Sequence, residues 1–185
     1  MAHISLPADA SPGIGGLLGA YPKTAKHMTA LAQELLRGDS PLSPAERELI
    51  AACVSRANEC EFCTQSHASV ACSLFSSDDD SDASIVDEVV MKQNVSGLSE
   101  KMQGLVALAL AVQKGGQFVD QIHIDRVRAA SATDQEIHDT VLIAAAFCMF
   151  NRYVDGLDTS VPSDNSMYDS MGKYLAHHGY VSGEA

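Results

Sequence analysis

The sequence predicts an all-α protein, and three observations carry this prediction. Apolar residues recur at helical spacing in nearly every segment of the 185-residue chain. No stretch shows the period-two alternation that is typical of a half-buried strand. Two helix-start signals, at residues 43–46 and 133–136, each consist of a capping Ser or Thr followed three residues later by Glu. We therefore expect a bundle of helices.

The first predicted helix runs from about Pro22 to Arg37 with one apolar face, and Gly38 ends it. Before it, the stretch P-G-I-G-G-L-L-G at residues 12–19 has the glycines of a phosphate-binding loop. No strand precedes this stretch, and its third glycine is out of register with such a loop. We therefore interpret residues 12–19 as a turn.

The second predicted helix has the clearest start in the sequence and runs to about Ala57. Ser43 can cap it, Pro44 suits the first helical position, and Glu46 completes a capping box. A third helix is expected to begin near Cys60.

The next two predicted helices begin in different ways. The acidic run S-S-D-D-D-S-D-A-S, residues 76–84, suits the N-terminus of a fourth helix, because carboxylates are favourable at the positive end of the helix dipole. The apolar residues of that helix are Ile85, Val86, Val89 and Val90. Ser99 begins a fifth helix, whose centre L-V-A-L-A-L-A-V is apolar all round. We expect that helix to be buried until Gly115 and Gly116 end it.

The last third of the chain is predicted to hold a short turn and two helices. The turn covers about residues 125–130, and a capping box at Thr133 and Glu136 then begins a long apolar helix that ends in F-N-R-Y-V-D-G. A final helix precedes a polar tail at about residues 177–185. The apolar face of this final helix consists of Tyr168, Met171, Tyr174 and Leu175. No linker is long enough to divide the chain, so we expect one domain over residues 1–185.

Composition and charge argue against several classes of function. The apolar content of 46% is ordinary for a globular protein, while the formal charge of −12 repels phosphate backbones and anionic membrane surfaces. The N-terminus lacks the basic and apolar regions of a secretory signal, and the longest apolar run is far shorter than a bilayer span. We expect a soluble cytoplasmic protein that binds neither nucleic acid nor membranes.

The stretch E-C-E-F-C-T-Q-S-H, residues 59–67, offers chemistry at sulfur. Cys60, Cys63 and His67 are spaced i, i+3 and i+7, which places them along one face of a helix over two turns. The macrodipole favours a thiolate at Cys60, at the helix N-terminus, and Cys63 lies one turn deeper beside a potential base. The two sulfurs can also close a disulfide with little movement of the backbone.

Helix geometry brings a carboxylate to the same face. If the second and third helices pack antiparallel across a turn at Asn58 and Glu59, a rise of about 1.5 Å per residue fixes the heights of the side chains. Glu48 then stands ~15 Å and His67 ~13 Å from the turn, so the two are level. A carboxylate that orients an imidazole serving a thiol activates a nucleophile, so we predict a proton relay of Glu48, His67 and Cys63.

The segment E-L-I-A-A-C-V-S-R-A-N-E-C-E-F-C-T-Q-S-H resembles the alkylhydroperoxidase D-like branch of the carboxymuconolactone decarboxylase superfamily. The signature of that branch is a glutamate, eleven residues, and then C-x-x-C-x-x-x-H. The residues that satisfy every spacing are Glu48, Cys60, Cys63 and His67. The segments P-G-I-G-G-L-L, L-S-P-A-E-R-E-L-I and F-N-R-Y-V-D-G-L resemble recurring segments of the peroxidase-related subgroup. The resemblance therefore covers most of residues 12–158, with the motif core at about residues 43–75.

This resemblance implies an AhpD-like helical bundle, assembled as a trimer or a hexamer. It also implies a thiol peroxidase that needs no cofactor and whose disulfide is returned to the dithiol by a dithiol or thioredoxin-like reductant. In the family the second cysteine attacks the peroxide, the first resolves the product, and the histidine and glutamate relay protons. Carried over, Cys63 is peroxidatic, Cys60 is resolving, and His67 and Glu48 form the relay. The best-known members place another histidine just before the second cysteine, where this chain has Phe62. The resemblance therefore does not identify which peroxide is the substrate.

Other interpretations of the motif remain open. Structural zinc takes four ligands, and Cys72 or Cys53 could complete the three that C-x-x-C-x-x-x-H supplies. Against zinc, Cys72 points off the ligand face, and Glu48 has no role in such a site. The pair could also be buried and inert, because free cysteine is among the most buried residue types. The alternative functions are a thiol-disulfide oxidoreductase with a non-peroxide substrate and a non-enzymatic helical zinc-binding or assembly module.

The remaining cysteines and one polar pair receive structural interpretations. Cys53, Cys72 and Cys148 sit in apolar helical faces without a base at helical spacing, so we interpret them as packing residues. Asn151 and Arg152, at the C-terminal end of the long helix, can hydrogen-bond its last carbonyls.

Overall fold

The computed structural model describes residues 2–76 and 83–181, and the described residues form α-helices and no strand. The all-α class predicted from the sequence is therefore confirmed. The helices are α1 (Ile14–Ala20), α2 (Pro22–Arg37), α3 (Pro44–Ala57), α4 (Glu61–Phe75), α5 (Ser84–Val86), α6 (Glu100–Lys114), α7 (Gln121–Ala129), α8 (Asp134–Gly156) and α9 (Ser166–His178). A π-helical turn, Asp87–Met91, follows α5, and a 3₁₀ turn, Gly116–Phe118, precedes α7.

Both predicted capping boxes are present. Ser43 Oγ accepts a hydrogen bond from the backbone N–H of Glu46 at 3.2 Å, and the Glu46 carboxylate accepts one from Ser43 N–H at 2.8 Å. The same pair of bonds joins Thr133 and Glu136 at 3.2 and 2.7 Å. Each box satisfies two backbone donors that the first helical turn leaves without partners, which is why the starts of α3 and α8 can be recognised from a few residues.

The interpretation of residues 12–19 as a turn is wrong, because helix α1 begins at Ile14. Burial outweighs the poor helix propensity of the glycines: Leu17, in the middle of α1, is fully buried. Gly13, just before the helix, has a positive φ of 59° and lies flat against the ring of Phe62. A Cβ on Gly13 would come within 2.3 Å of that ring, so the glycine permits this close approach.

The interpretation of residues 125–130 as a short turn is also wrong, because most of them belong to α7. A third capping box starts this helix, with Asp120 Oδ1 accepting from the N–H of His123 at 3.1 Å. Helix α7 buries only Val127, and its Ile122 is 74% exposed. Its apolar periodicity is therefore too weak to be recognised from the sequence.

The predicted fourth helix is shorter and less regular than expected. It consists of α5 and the π-helical turn that follows, with Val86, Val89 and Val90 buried as the apolar pattern predicts. The acidic run proposed to precede it falls largely on residues 77–82, which lie outside the described residues.

Helix α3 is the centre of the molecule, buried along most of its length and packed against α4, α6 and α8. A tight turn joins α3 to α4: Glu59 takes a left-handed conformation with φ of 60°, and the N–H of Cys60 donates to the carbonyl of Ser55 at 3.1 Å. Helix α4 packs on α3 on one side and on α9 on the other. Across residues 2–76 and 83–181, no helix combines the length and apolar character needed to span a bilayer.

Candidate active site

The two cysteines of the motif lie at the start of α4, beneath the turn from α3. Cys60 is the N-cap residue of α4 and is fully buried, and Cys63 lies in the first turn with 3% of its surface exposed. Both are free thiols. The chain reversal at Glu59 therefore brings two sulfurs together inside the protein, at the positive end of a helix dipole.

The two thiols differ sharply in acidity. A hydrogen bond between their sulfurs is the largest influence on both, and it lowers the pKa of Cys63 while it raises the pKa of Cys60. Burial opposes ionisation of each thiol, but at Cys63 the positive charge of His67 and a hydrogen bond from Asn151 lower the pKa further. The geometry therefore favours a thiolate at Cys63 and not at Cys60, where the helix dipole alone had predicted one. Cys60 keeps its proton and donates it in the hydrogen bond.

Glu48 and His67 are in direct contact, at the level where the helix rise predicted them to meet. Glu48 is fully buried, and its Oε2 lies 2.7 Å from Nδ1 of His67. Because an ionised carboxylate only accepts hydrogen bonds, Nδ1 carries a proton and donates it. The other ring nitrogen of His67, Nε2, is then the one that can accept a proton.

The carboxyl group of Glu48 is ionised despite its burial. Burial by itself raises the pKa of this group, but the charge and hydrogen bond of His67, the charge of Arg37 and a hydrogen bond from Tyr180 outweigh it, and the net pKa is lowered. Its chain neighbour Arg47 is not its ion-pair partner, because the Arg47 guanidinium donates to the carbonyls of Leu35 and Gly38 at 3.2 and 2.8 Å.

Two partners of Glu48 come from segments that the motif does not include. Arg37 Nη2, at the end of α2, lies 2.7 Å from Oε1 of Glu48, and the hydroxyl of Tyr180 donates to the same oxygen at 2.6 Å. Tyr180 lies in the segment predicted to be a polar tail, yet its ring lines a cavity with Cys63 and His67. No local sequence signal connects residues so far apart along the chain.

Asn151 is a further site residue whose role the sequence did not reveal. Its side chain is fully buried: Oδ1 accepts from Asn58 at 2.8 Å, Nδ2 donates to Ser55 Oγ at 3.1 Å, and the amide also hydrogen-bonds the sulfur of Cys63. The expectation that it hydrogen-bonds helix carbonyls is therefore wrong. Its neighbour Arg152 donates to the carbonyl of Cys148 at 2.8 Å, which lies inside α8 and is not one of the last carbonyls of the helix.

The other cysteines are not partners of Cys63 or His67, although the sulfur of Cys148 accepts a hydrogen bond from Asn58 at 3.6 Å. Burial raises the pKa of the Cys53 thiol to about 12, and burial followed by two nearby carboxylates raises that of Cys72. Cys148 is half-buried on α8 and packs against the main apolar core. Within the part of the chain that the structure describes, no three His, Cys, Asp or Glu side chains are grouped so as to hold a metal ion.

A small cavity of about 70 Å³ opens onto Cys63 and His67. Its other walls are mainly apolar and include Ile14, Phe62, Phe147 and Phe150. Phe147 also presses edge-on against the imidazole of His67, with ring centroids 4.6 Å apart. Since one water molecule needs about 10–15 Å³, the cavity admits a small molecule with an apolar part.

Sequence comparison matches the profile of the carboxymuconolactone decarboxylase family to residues 22–74 and 84–158. Both the cysteine motif and Glu48 lie inside the first matched segment. No curated protein matches this chain.

Several solved structures share the fold. A peroxidase-related protein from Silicibacter sp. superposes with a TM-score of 0.73 at 23% identity, covering 85% of this chain and 80% of that one. A peroxidase-related protein from Ralstonia eutropha, described as an alkylhydroperoxidase AhpD core, gives 0.74 at 22% identity, over 90% and 83% of the two chains. A protein of unknown function from Agrobacterium tumefaciens, suggested to be the antioxidant defence protein AhpD, gives 0.67 at 20% identity, over 82% and 99%. At these identities the likeness concerns the fold, which confirms the predicted AhpD-like helical bundle.

Proposed function

Because the chain belongs to the carboxymuconolactone decarboxylase family, we propose that it is a thiol-dependent peroxidase that reduces peroxides through a Cys60–Cys63 disulfide. One observation carries this proposal. A fully buried glutamate, Glu48, holds Nδ1 of His67 at 2.7 Å, and that histidine shares a small cavity with Cys63, the thiol whose pKa is lowered. Such a carboxylate, imidazole and thiol are the parts of an activated nucleophile.

In the first step the thiolate of Cys63 attacks one oxygen of the peroxide. An S–O bond forms, the O–O bond breaks, and sulfur loses the two electrons that the peroxide gains. The products are a sulfenic acid on Cys63 and an alcohol, or water when the substrate is hydrogen peroxide. His67 takes the thiol proton at Nε2 beforehand and returns it to the leaving oxygen, so that no alkoxide has to be released.

In the second step Cys60 resolves the sulfenic acid. The Cys60 sulfur attacks the sulfur of Cys63, an S–S bond forms, and the hydroxyl leaves as water with the proton that Cys60 had kept. The hydrogen bond between the two sulfurs supports this assignment, because it holds the attacking sulfur beside its target. An external dithiol or thioredoxin-like protein then reduces the disulfide by thiol exchange.

Glu48 contributes to these two reaction steps through His67. Its negative charge stabilises the imidazolium that forms when Cys63 ionises, and its hydrogen bond keeps Nδ1 protonated, so that Nε2 serves the thiol. The buried ion pair with Arg37, at 2.7 Å, keeps the carboxylate ionised when His67 is neutral.

The apolar walls of the cavity bear on the choice of substrate. Phe62 stands where the best-known family members have a histidine, and its ring is held between Gly13 and Tyr168, whose ring centroid is 6.0 Å away. A phenyl ring offers no proton but favours an apolar group. We therefore propose hydrogen peroxide or a small alkyl hydroperoxide as the substrate, in preference to a bulky or charged one.

We also propose that the protein is a cytoplasmic homo-oligomer, a trimer or a hexamer. Leu142 and Met149 lie seven residues apart on one face of α8, with 39% and 46% of their surfaces exposed, and a contact between subunits would cover them. Light scattering coupled to gel filtration will give the mass of the assembly.

Two cysteine variants test the proposed chemistry. Cys60→Ser is expected to accumulate a sulfenic acid that dimedone labels after exposure to peroxide, while Cys63→Ser should not react. Stopped-flow mixing of the reduced wild-type protein with hydrogen peroxide or tert-butyl hydroperoxide, followed by mass analysis, should show loss of two hydrogens at the Cys60–Cys63 pair. Labelling of Cys63→Ser in place of Cys60→Ser would reverse the order of attack.

The alternatives predict different results in the same protein preparation. A thiol-disulfide oxidoreductase would exchange with disulfides but would leave peroxide untouched. A structural zinc site would retain roughly one equivalent of metal after dialysis, and a chelator would lower its melting temperature. The peroxidase proposal expects neither stoichiometric zinc nor an effect of the chelator.

A further inference from the structure

We propose that Tyr180, in the segment that follows α9, is a positioning residue of this site. Its hydroxyl holds the Glu48 carboxylate in the orientation that keeps His67 aimed at Cys63. This inference rests on the proposed function, although its test includes a measurement that does not need a peroxide.

The two oxygens of Glu48 have different partners. Oε1 accepts from the Tyr180 hydroxyl at 2.6 Å and from Arg37 at 2.7 Å, while Oε2 accepts from His67 at 2.7 Å. The carboxylate therefore cannot rotate without breaking one of these bonds. Because Oε1 is occupied from the other side, Oε2 remains available to the imidazole.

Tyr180 also contacts His67 directly. Its hydroxyl oxygen lies 3.3 Å from Nδ1, and the two rings stack with centroids 6.0 Å apart and planes inclined by 21°. The phenol thus restrains both the carboxylate and the imidazole, and the ring forms part of the cavity wall.

The segment carrying Tyr180 is anchored at more than one point. Gly179 has φ of 74° and ψ of −158°, a conformation that is open essentially to glycine alone, and it turns the chain back from the end of α9. The N–H of Tyr180 then donates to the side-chain oxygen of Gln33 on α2 at 2.7 Å. Arg37 binds the carbonyl of Leu175 at 3.3 Å and lies 5.1 Å from the centre of the Tyr180 ring. A segment bound in this way is ordered against the site, which suits a positioning role.

The charged and titratable groups that face Glu48 come from all sides: Arg37 from α2, Arg47 from α3 itself, His67 from α4 and Tyr180 from the last segment. The hydrogen bond from Tyr180 favours the ionised carboxylate and lowers the pKa of Glu48. Its removal should therefore raise that pKa, and the loss of activity on acidification should begin at a higher pH.

The test compares Tyr180→Phe with Tyr174→Phe. The first variant removes the hydroxyl and keeps the ring. The second makes the same chemical change at a tyrosine on α9 that is 57% exposed and stacks on His178. For each protein, the rate of Cys63 oxidation by hydrogen peroxide is measured from about pH 3 to 8.5, so that the range includes the titration of Glu48, by rapid quenching and mass analysis. In a Cys60→Ser background, the rate of Cys63 alkylation by iodoacetamide is measured over the same range.

Tyr180→Phe is expected to slow oxidation at least about threefold, which is less than the loss on removing an acid–base group itself, and to move the acidic limb of both profiles to higher pH. Tyr174→Phe should change neither. A Tyr180→Phe protein with the wild-type rate and the wild-type acidic limb would overturn the proposal. If the wild-type protein does not react with peroxide, the proposed function fails, and the alkylation profiles still decide the role of Tyr180.

A second variant, at the neighbouring Gly179, tests the role of Tyr180 without changing Tyr180 itself. A Cβ on Gly179 would come within 2.5 Å of the Gln33 side chain and would not tolerate the backbone conformation there, so Gly179→Ala should displace Tyr180. It should shift the acidic limb in the same direction as Tyr180→Phe, with unchanged helical circular dichroism. Should Tyr180→Phe fail to fold, a wild-type profile for Gly179→Ala would equally overturn the proposal.

Discussion

Replacing Glu48 with glutamine is the most informative single perturbation of this site. The change keeps the shape of the side chain but removes the negative charge that three groups share. A glutamine oxygen can still accept from Nδ1 of His67, but its amide group then faces two donors, Arg37 and Tyr180. One partner of a buried ion pair is lost, and the guanidinium, 11% exposed, keeps its charge.

The structure sets the size of two separate effects. Removing one partner of a buried ion pair typically costs about 3–5 kcal/mol, which corresponds here to a fall in melting temperature of roughly 6–20 °C. Loss of the carboxylate that holds the imidazole proposed to relay protons should slow oxidation of Cys63 by at least about tenfold, since acid–base assistance is worth about 10²- to 10⁴-fold. We therefore expect a folded but less stable protein with slow turnover.

The assay follows both effects on the same sample. Circular dichroism gives the helix content and the melting temperature, and rapid quenching with an alkylating reagent gives the rate of Cys63 oxidation at a temperature well below the transition. His67→Ala and the double variant complete the cycle. Because the two residues are proposed to act as one unit, the double variant should lose little more activity than either single variant.

The pH dependence of stability provides an independent check. The pKa of Glu48 is lowered in the folded protein, so its contribution to stability is fully present above the ordinary carboxyl pKa of about 4.3 and is lost as the pH falls through the lower folded value. The melting temperature of the wild-type protein should fall more steeply below about pH 4 than that of Glu48→Gln. Full activity in Glu48→Gln, or strictly additive losses in the double variant, would refute the proposed action of Glu48 through His67.

Two further predictions concern residues that the cysteine motif does not contain. Asn151→Ala removes a hydrogen bond that lowers the pKa of Cys63. Iodoacetamide should therefore alkylate Cys63 more slowly at pH 7, and the apparent pKa of the alkylation profile should rise. An unchanged profile would refute the contact between Asn151 and Cys63. Gly13→Ala places a Cβ 2.3 Å from the Phe62 ring at a positive φ and should cost more than about 2 kcal/mol in urea denaturation. Gly19→Ala, inside helix α1, meets nothing within 4 Å and should be neutral or slightly stabilising, and equal losses in the two glycine variants would contradict this account.

Local chemistry along the chain determines a large part of this fold. The capping box at Ser43 and the glycine at position 38 act within a few residues, so the ends of α2 and α3 follow from the sequence alone. The rise per residue of a helix is nearly constant, so the sequence also determines how far each side chain lies along the helix axis. The contact between Glu48 and His67 could therefore be predicted across one short turn, because only two helices and their connection had to be right.

Packing among distant segments decided the rest. Helix α1 exists because Leu17 is buried in the assembled core, and α7 escapes recognition because Val127 is the only residue it buries. Neither fact is visible in a local pattern, since burial depends on what the remaining helices leave open.

The same limit applies to the site. The motif identified the sulfurs, the imidazole and the carboxylate, but the groups that set their charge states come from elsewhere in the chain. Arg37 lies 11 residues before Glu48, Tyr180 lies 132 residues after it, and Asn151 reaches Cys63 from α8. Whether a hydrogen bond forms in a buried site depends on differences of a few tenths of an ångström in the distance between atoms of separate helices. Helical spacing within one segment cannot determine those distances, and only the tertiary structure does.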